Sequence, residues 1–232
     1  MHILALDTSM GACGAAVLRT DATSRRLFAR EERMARGHAE ALMPMVAEVM
    51  AESGLGFAEL DLIAATLGPG SFTGVRIAIA AARGLALVTT AKSWGTDSLT
   101  VMAKAALGSG AIAPGAGPFA VAVDARASML YFGLYRSDGA KLAGPLLIGA
   151  DDAAALLPPD LTLVVGSAGP ELAAAARASQ REVEALLPDL EPSAVALAEL
   201  GLNARETVPI LHPLYLRPPD AKPQAAAALA RR

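Results

Sequence analysis

The sequence predicts an α/β fold made of two similar lobes, each with a mixed β-sheet. Two observations lead to this prediction. An apolar strand that ends in an aspartate, followed by two further strand candidates, occurs near the start of the chain and again in its second half. Each trio is followed by a helix pattern and another buried strand, an order that forms mixed sheets with helices on their faces. A chain of 232 residues is long enough to give both lobes a core.

The first lobe starts with an apolar strand from residue 3 that ends in Asp7-Thr8-Ser9. Strand candidates over 14–18 and 26–32 follow at hairpin-like spacing. A helix is predicted over 37–53, because apolar residues recur there at helical spacing, and a buried strand is predicted over 60–67.

The second lobe repeats this order. An apolar strand over 119–124 ends in Asp124 and is followed by strand candidates over 130–135 and 141–148. A helix over 151–157 and a strand over 161–165 complete the lobe. The chain therefore looks duplicated, with Asp7 and Asp124 in equivalent places.

A passage rich in glycine and proline over 108–118 is the natural link between the lobes. We therefore predict an N-terminal lobe over residues 1–108 and a C-terminal lobe with a tail over residues 109–232.

The most informative motif is a glycine-rich nonapeptide, which we call the glycine loop: Gly68-Pro69-Gly70-Ser71-Phe72-Thr73-Gly74-Val75-Arg76. It connects a predicted strand to a predicted helix, an arrangement that presents backbone N–H groups to an anion. Ser71 or Thr73 can cap the helix. The loop lacks the Gly-Lys-Ser/Thr ending of a Walker phosphate loop, so a plain tight turn before a capped helix is the alternative.

Arg76 is the unusual residue of the loop. A cation in the first turn of a helix opposes the helix macrodipole. We therefore expect Arg76 to pair with a carboxylate or a phosphate.

The helix predicted after the glycine loop, up to Val88, is apolar almost all round, with Arg76 and Arg83 seven positions apart. Such a helix is buried on more than one side. Since the outer helices of a lobe normally meet water, we expect a second protein chain to cover part of this helix.

Composition excludes several classes of protein. The net charge of −3 gives no overall electrostatic footprint for nucleic acid. Six arginines do concentrate positive charge locally, and a solvated strand edge explains them as well as a binding patch does. These are Arg19, Arg25, Arg26, Arg30, Arg33 and Arg36. The amino end has no basic leader and no apolar stretch is long enough to span a bilayer, so we expect a cytoplasmic protein.

Neither a metal centre nor a catalytic triad is indicated. A second ligand four residues after His38 would make a helical metal pair, but that position is Leu42. We therefore expect His38 to be a cap or a surface residue. Cys13 is the single cysteine and is expected to be buried. No histidine with an acid accompanies the hydroxyls Ser71 and Thr73.

Matched aspartates at strand ends, one in each lobe, resemble the nucleotide-binding folds of the actin and sugar-kinase class. There the acids orient magnesium and water around phosphates. Candidate anion- or nucleotide-binding residues are therefore Asp7, Thr8, Ser9, Gly70, Ser71, Thr73 and Asp124. An aspartate at a strand end is also a common turn former, which is the alternative for either acid alone.

Taken together, the motifs resemble the bacterial TsaB (YeaZ) family. The matching segments run in order along nearly the whole chain. They are residues 3–9, His38-Ala39-Glu40 with Leu42-Met43-Pro44, the glycine loop, Asp124-Ala125-Arg126, and Tyr215-Leu216-Arg217-Pro218. Of these, the glycine loop is the specific one.

This resemblance implies an actin-like, two-lobed fold and a non-catalytic role in making threonylcarbamoyladenosine next to the tRNA anticodon. The implied partners are a TsaD-like transferase, which the chain would bind and activate, and a TsaE-like ATPase. Contact with tRNA would arise only through the complex. Docking is expected through the helices over 37–53 and 74–88. The interface residues predicted there are His38, Leu42, Met45, Val49, Arg76, Ala78, Ala81, Ala82 and Leu85.

Two departures from the family pattern concern nucleotide binding. Met129 stands where the family often has Glu, and Ser167 stands near a position that is often Asn or Asp. No cofactor is therefore expected beyond weak binding of ATP or ADP. The alternative function is an ATP-dependent phosphotransferase or hydrolase of the same fold, and a metallopeptidase would need a metal pair that this sequence lacks. A homodimer through the same helices stays open.

Overall fold

Two five-stranded sheets organise the protein, and the computed structural model describes residues 1–216 of the chain. The first sheet has the spatial order β3-β2-β1-β4-β5. Its strands are β1 (His2–Asp7), β2 (Ala12–Thr20), β3 (Arg25–Arg33), β4 (Leu62–Thr66) and β5 (Lys92–Thr96). The second sheet has the order β8-β7-β6-β9-β10. Its strands are β6 (Phe119–Asp124), β7 (Met129–Tyr135), β8 (Lys141–Gly149), β9 (Leu163–Val165) and β10 (Glu184–Leu186).

The two sheets repeat one pairing pattern. β1 pairs antiparallel with β2 and parallel with β4, and β6 pairs antiparallel with β7 and parallel with β9. Asp7 lies opposite Gly14 and Asp124 lies opposite Leu130, so each aspartate ends the first strand of its sheet. The predicted α/β, actin-like, two-lobed fold with mixed sheets is confirmed, and the two aspartates are structural equivalents.

Helices cover both faces of each sheet, which is why β1 and β6 are apolar along almost their whole length. The helices of the described chain are α1 (His38–Ser53), α2 (Phe72–Val88), α3 (Ser98–Gly108), α4 (Ala150–Ala155), α5 (Gly169–Ala178) and α6 (Ala194–Gly201). A 3₁₀ turn, Phe57–Glu59, precedes β4.

The outer face of each sheet carries a helix pair. α1 and α2 pack on one side of the first sheet in a core that includes Leu4, Val17 and Val46. α4 and α5 pack on the corresponding side of the second sheet, around Phe132 and Leu172. These pairs are the outer layers of the two lobes.

The inner faces are covered by helices that cross between the halves. α3 follows the first sheet in the chain but packs on the second, where Leu99 and Met102 meet Phe119. α6 follows the second sheet but packs on the first, where Leu197 meets Ile3. α3 and α6 also contact each other. The predicted division into 1–108 and 109–232 follows the order of the sheets along the chain and stays a prediction, because each sheet receives its inner helix from the other half.

Residues 208–216, which we call the strap, return to the first lobe after α6. Val208 forms an antiparallel bridge with Ser93, and the N–H of Leu214 donates to the carbonyl oxygen of Leu67 at 2.6 Å. Arg83 donates from Nε to the Leu211 carbonyl oxygen at 2.8 Å. The strap therefore lies against β5, the glycine loop and α2.

The strands and helices predicted from sequence are all present, with ends that differ by a few residues. β5, α3, α5, β10 and α6 were not predicted. Among residues 1–216, no helix is both long and apolar enough to cross a membrane.

Candidate functional site

A cleft of about 780 Å³ lies between the lobes. One side is formed by residues 69–73 of the glycine loop and the other by residues 123–126 after β6. Four of the predicted anion-binding residues line it: Gly70, Ser71, Thr73 and Asp124. Asp7, Thr8 and Ser9 do not. The structure therefore places the glycine loop and Asp124 at one cavity. Asp7 is buried in the first lobe and does not line this cavity.

Asp7 is only 1% exposed. Its Oδ1 accepts a hydrogen bond from the Ser9 hydroxyl at 2.7 Å, whereas Oδ2 has no partner among the described residues. Burial raises the pKa of Asp7 to about 7, and the Ser9 hydrogen bond and the nearby Thr66 hydroxyl only partly oppose this. This carboxyl is held inside the lobe and has no direct access to a ligand in the cleft.

Thr8 and Ser9 are bonded to the glycine loop. The Thr8 hydroxyl donates to the Gly74 carbonyl oxygen at 2.6 Å and accepts from the Ala78 N–H at 3.1 Å. The Ser71 N–H donates to the Ser9 carbonyl oxygen at 2.7 Å. The Thr8 hydroxyl and the Ser9 carbonyl oxygen are thus committed to the glycine loop and the start of α2.

Two glycines permit this contact. A Cβ at Gly70 would lie 2.1 Å from the Ser9 carbonyl oxygen, and one at Gly74 would lie 2.0 Å from the Thr8 carbonyl oxygen. Both distances are far below any real contact, so only glycine fits. These two glycines are explained by the close approach of two backbone segments. Ser71 caps α2 as predicted, since its hydroxyl accepts from the Gly74 N–H at 3.3 Å.

The turn after β6 is exposed to the cleft. Asp124 Oδ1 accepts from the Arg126 N–H at 2.8 Å, and the Asp124 N–H donates to the Ser167 hydroxyl at 3.0 Å. Arg126, Ala127 and Ser128 all have positive φ, between 54° and 65°. Runs of such residues are rare outside glycine. Asp124 therefore shapes a strained open turn.

Glu191 was not singled out from the sequence, yet it completes the turn between β1 and β2. Its Oε2 accepts the Gly11 N–H at 3.0 Å, and it lines the cleft. A Cβ at Gly11 would lie 2.7 Å from Oε1. Partial burial raises the pKa of Glu191. Glu191, in the second half of the chain, thus accepts a hydrogen bond from the backbone of the first hairpin. Because the two residues are 180 positions apart, no local sequence pattern indicates this contact.

Arg76 pairs with aromatic residues. Its Nε donates to the Tyr215 hydroxyl at 2.7 Å, and its guanidinium carbon lies 3.6 Å from the centre of the Phe72 ring. The Phe72 and Tyr215 rings stack with centres 5.5 Å apart. Among residues 1–216, Arg76 forms no ion pair. The expected carboxylate of this chain is therefore absent from the described part.

The predicted interface residues fall into two groups. Leu42, Val49, Ala78 and Ala82 are buried in the core of the first lobe, at most 1% exposed. They face the sheet and are not on a surface, so the prediction that they form an interface is corrected. His38, Met45, Ala81 and Leu85 are half-buried, and Arg76 is exposed.

Within the described chain, α2 is buried on one side only, although the sequence predicts burial on more than one side. Its exposed side is a line of residues that we call the α2 stripe: Thr73, Arg76, Ala80, Gly84 and Leu87. These positions share one face at helical spacing. Leu87 is 86% exposed and Val88 beside it is 79% exposed. The stripe carries apolar and small side chains with one cation.

Acids neutralise most of the arginine cluster. Arg19 pairs with Asp21, Arg25 with Glu199, Arg30 with Glu48 and Glu52, and Arg33 with Asp189. Paired charges on a strand edge give little positive potential. A solvated strand edge therefore explains these arginines better than a nucleic-acid patch does.

His38 is the first residue of α1 and does not cap it. Its Nε2 donates to the Met10 carbonyl oxygen at 3.2 Å.

Cys13 is fully buried, as predicted. Within residues 1–216, no group of three or more His, Cys, Asp or Glu side chains is placed to hold a metal ion.

Tyr215 belongs to a motif noted in the sequence, but its contact with Arg76 was not predicted. Nothing local links residues that are 139 positions apart. Arg217 and Pro218 of the same motif lie outside the described residues.

Comparisons with known proteins place the chain in a family. A family model described as "TsaD: tRNA N6-adenosine threonylcarbamoyltransferase" matches residues 31–198. The Escherichia coli (strain K12) protein named "tRNA threonylcarbamoyladenosine biosynthesis protein TsaB" is 32% identical over 233 residues, which covers 94% of this chain and 95% of that protein. The solved structure titled "YeaZ from Pseudomonas aeruginosa" matches with a TM-score of 0.77 at 28% identity, covering 93% of this chain and 100% of that one.

An uncharacterized protein of Mycobacterium tuberculosis is 35% identical over 228 residues, covering 96% of this chain and 95% of its own length. The sequence and structure matches agree and extend over both lobes. With its twice-repeated sheet order and its glycine loop docked on the first aspartate turn, the chain belongs to the TsaB (YeaZ) family.

Proposed function

We propose that this protein takes part in making threonylcarbamoyladenosine in tRNA, as a non-catalytic subunit that binds and activates a TsaD-like transferase. The observation that carries this proposal is the match to a TsaB protein over 94% of the chain at 32% identity. That relative is named for the biosynthesis of this nucleoside.

The site supports a non-catalytic role. The first aspartate is buried, and its raised pKa of about 7 makes it a poor permanent anion for holding magnesium. The N–H of Ser71 is taken by the chain's own backbone, and that of Gly11 by Glu191. These groups are the ones that a phosphate at the first turn would need.

The α2 stripe supports docking of a partner. It exposes Leu87 and the adjacent Val88 at the end of an otherwise well-packed helix. Ala80 and Gly84 lie between Arg76 and Leu87, and their small side chains would let a second helix come close. We propose that the TsaD-like transferase covers this stripe.

The test is Gly84→Glu, which places a charge in the proposed interface, out of reach of Arg76 and without touching the lobe core. Burying an unpaired carboxylate is strongly unfavourable, so we expect complex formation with the transferase to fall at least 100-fold in affinity. The matched control is Ala174→Glu, at an exposed position of α5 in the other lobe. Equal affinity of the two variants in a titration by calorimetry would contradict the docking assignment.

We further propose that a TsaE-like ATPase joins this complex and that tRNA is contacted only through it. The net charge of −3 and the ion-paired arginines support the second part. Without its partner, a monomer and a homodimer through the same stripe are the two alternatives for the isolated chain. Mass measurement of the isolated chain, and of its mixture with both proteins with and without nucleotide, tests these assemblies.

No cofactor is proposed beyond weak binding of ATP or ADP. The alternative function, an ATP-dependent phosphotransferase or hydrolase, requires magnesium-dependent nucleotide binding that is lost in Asp7→Asn. Tight, magnesium-dependent ATP binding in calorimetry that is lost in Asp7→Asn would favour the alternative and overturn the non-catalytic role.

A further inference from the structure

Arg76 is the exposed cation of the α2 stripe, and two aromatic rings hold its guanidinium group. Resting on the proposed docking of a TsaD-like transferase, we propose that Arg76 is a preorganised receptor for one Asp or Glu side chain of that partner. Phe72 and Tyr215 are its positioning residues. Arg76 would thus be the group of the stripe that recognises the partner, and a carboxylate would be the group that it recognises.

The aromatic contacts fix the guanidinium in place. The Phe72 ring lies under it, with the guanidinium carbon 3.6 Å from the ring centre, and the Tyr215 ring centre is 5.6 Å away. Nε is used by the Tyr215 hydroxyl at 2.7 Å. An arginine side chain normally loses rotamer entropy when it binds a ligand. Here that entropy is already lost in the free protein.

The two terminal nitrogens of Arg76 remain available. Neither Nη1 nor Nη2 has a hydrogen-bond partner among residues 1–216, although Arg76 is exposed on the helix surface. Together these nitrogens carry four N–H donors on one plane. A planar pair of donors matches the two oxygens of a carboxylate better than a lysine ammonium does.

The charge balance of α2 indicates an acid from outside the chain. The helix contains two arginines and no acidic residue. Arg83 is half-buried and gives Nε to the Leu211 carbonyl oxygen of the strap. Arg76 is therefore the cation that this helix presents to an approaching surface.

The direction of approach favours a protein side chain over a ligand in the cleft. Phe72, Thr73 and Tyr215 line the cleft, but Arg76 does not. Arg76 shares its face of α2 with Ala80, Gly84 and Leu87, which are exposed as well. A partner helix on the stripe would bring its side chains to Arg76, whereas a phosphate in the cleft would meet the rings first.

The experiment measures the affinity of the full chain for the purified TsaD-like transferase, with Arg76→Ala, Arg76→Lys and Tyr215→Phe. We expect about a 30-fold or greater loss for Arg76→Ala, because it leaves the partner's acid without its pair. Arg76→Lys should lose most of this affinity, because lysine lacks the planar pair of donors. Tyr215→Phe keeps the ring and should lose about threefold.

The matched control is Arg177→Ala, which removes an exposed arginine from the last turn of α5. Its affinity should equal that of the unaltered chain. Arg76→Ala should also flatten the dependence of affinity on salt, since one ion pair is gone. Thermal unfolding of all variants within a few degrees of the unaltered chain shows that the fold is intact.

A double-mutant cycle identifies the acid. Each surface Asp and Glu on the partner's docking side is changed to Ala and combined with Arg76→Ala. One of them should show a coupling of at least tenfold. Absence of any coupled acid, or full affinity in Arg76→Lys, would overturn the inference.

Two further outcomes separate this inference from the proposed function. If the unaltered chain does not bind the transferase, the proposed function fails. If it binds and Arg76→Ala binds equally well, docking stands and the receptor role of Arg76 is wrong. Loss of ATP or inorganic phosphate binding in Arg76→Ala, with partner binding unchanged, would reassign Arg76 to a phosphate and also overturn the inference.

Discussion

The turn Asp7-Thr8-Ser9 after β1 and the turn Asp124-Ala125-Arg126 after β6 occupy the same place in the two sheets, yet their surroundings are opposite. The first turn is fully buried, and its two hydroxyl groups are hydrogen-bonded within the first lobe. The second turn is open to the cleft and carries an exposed carboxylate. The repeated topology therefore fixes where an aspartate stands but does not fix what it can do.

The difference arises in the segment after the neighbouring parallel strand of each sheet. After β4, Gly70 and Gly74 let the glycine loop lie directly on the first turn. After β9, the corresponding segment holds Ser167, whose hydroxyl accepts from the Asp124 N–H, while Ala168 bonds to Ala122 within β6 and not to the turn after it. The glycine loop therefore covers the turn after β1, whereas the turn after β6 faces the cleft. Substitutions at these turns and at matched positions test this contrast.

The largest effect is expected for Gly74→Ala. The new Cβ would lie 2.0 Å from the Thr8 carbonyl oxygen, so the loop must separate from the first turn. We expect a loss of about 4 kcal/mol or more in the free energy of unfolding by urea. Gly84→Ala on the same helix meets open space and should gain up to about 1 kcal/mol. Similar stabilities for the two variants would show that close packing does not hold the first turn shut.

The second effect concerns pH. The pKa of Asp7 is raised from 3.8 to about 7, so the folded protein keeps a proton that the unfolded chain has lost. Stability should therefore fall as pH rises from about 4 to about 7, by on the order of 4 kcal/mol, because each unit of pKa shift corresponds to about 1.4 kcal/mol, and stay level above that. Asp7→Asn should remove most of this slope, leaving the part that the raised pKa of Glu191 contributes, and be the more stable protein at about pH 8. Asp124→Asn, in the open turn, should keep the slope. A slope of unchanged size in Asp7→Asn would assign it to another group.

Thr8→Val should cost about 1–2 kcal/mol, because it removes a hydroxyl that both donates to the Gly74 carbonyl oxygen and accepts from the Ala78 N–H. Both of these backbone groups are buried. Thr73→Val, in the same loop but exposed, should change stability by less than about 0.5 kcal/mol. Chemical denaturation of the pair measures the difference, and equal costs would contradict it.

The smallest effect is expected for the serine that is hydrogen-bonded to each aspartate residue, Ser9 to Asp7 and Ser167 to Asp124. Ser9→Ala removes a hydrogen bond to buried Asp7 and should cost about 1 kcal/mol while raising the pKa of Asp7 further. Ser167→Ala removes an exposed contact with the Asp124 N–H and should cost less than about 0.5 kcal/mol. NMR titration of the Asp7 carboxyl follows the pKa, and an unchanged value in Ser9→Ala would be inconsistent with the structure.

Much of the fold could be predicted from the sequence, because alternation, the repeated terminal aspartate and helical spacing are local signals. β5 was missed because Lys92-Ser93-Trp94-Gly95-Thr96 is short and carries little apolar pattern. α6 is apolar enough to be a helix, but no local feature tells which sheet it covers. Its position on the first sheet is a property of the whole chain.

The sequence identified most residues of the candidate site but not the contacts that they make. The glycine loop was identified, but the close approach that requires Gly70 and Gly74 involves a turn more than 60 residues away. The partner of Arg76 was expected to be an acid because the helix dipole calls for one, and cation–π contacts with Phe72 and Tyr215 were not weighed. Burial of Leu42 and Ala78 could not be told from exposure, since α1 and α2 are apolar on several sides.

The crossing of α3 and α6 has a consequence for how the protein is made. The inner face of the first sheet lacks its main cover until α6 has left the ribosome, roughly 100 residues after β5, which at about 5–20 residues per second is a delay of several seconds. During that interval an apolar sheet face is exposed in the nascent chain. A docking surface backed by that sheet is completed only when almost all of the described chain has been synthesised, so a partner can recognise the finished protein but not a fragment of it.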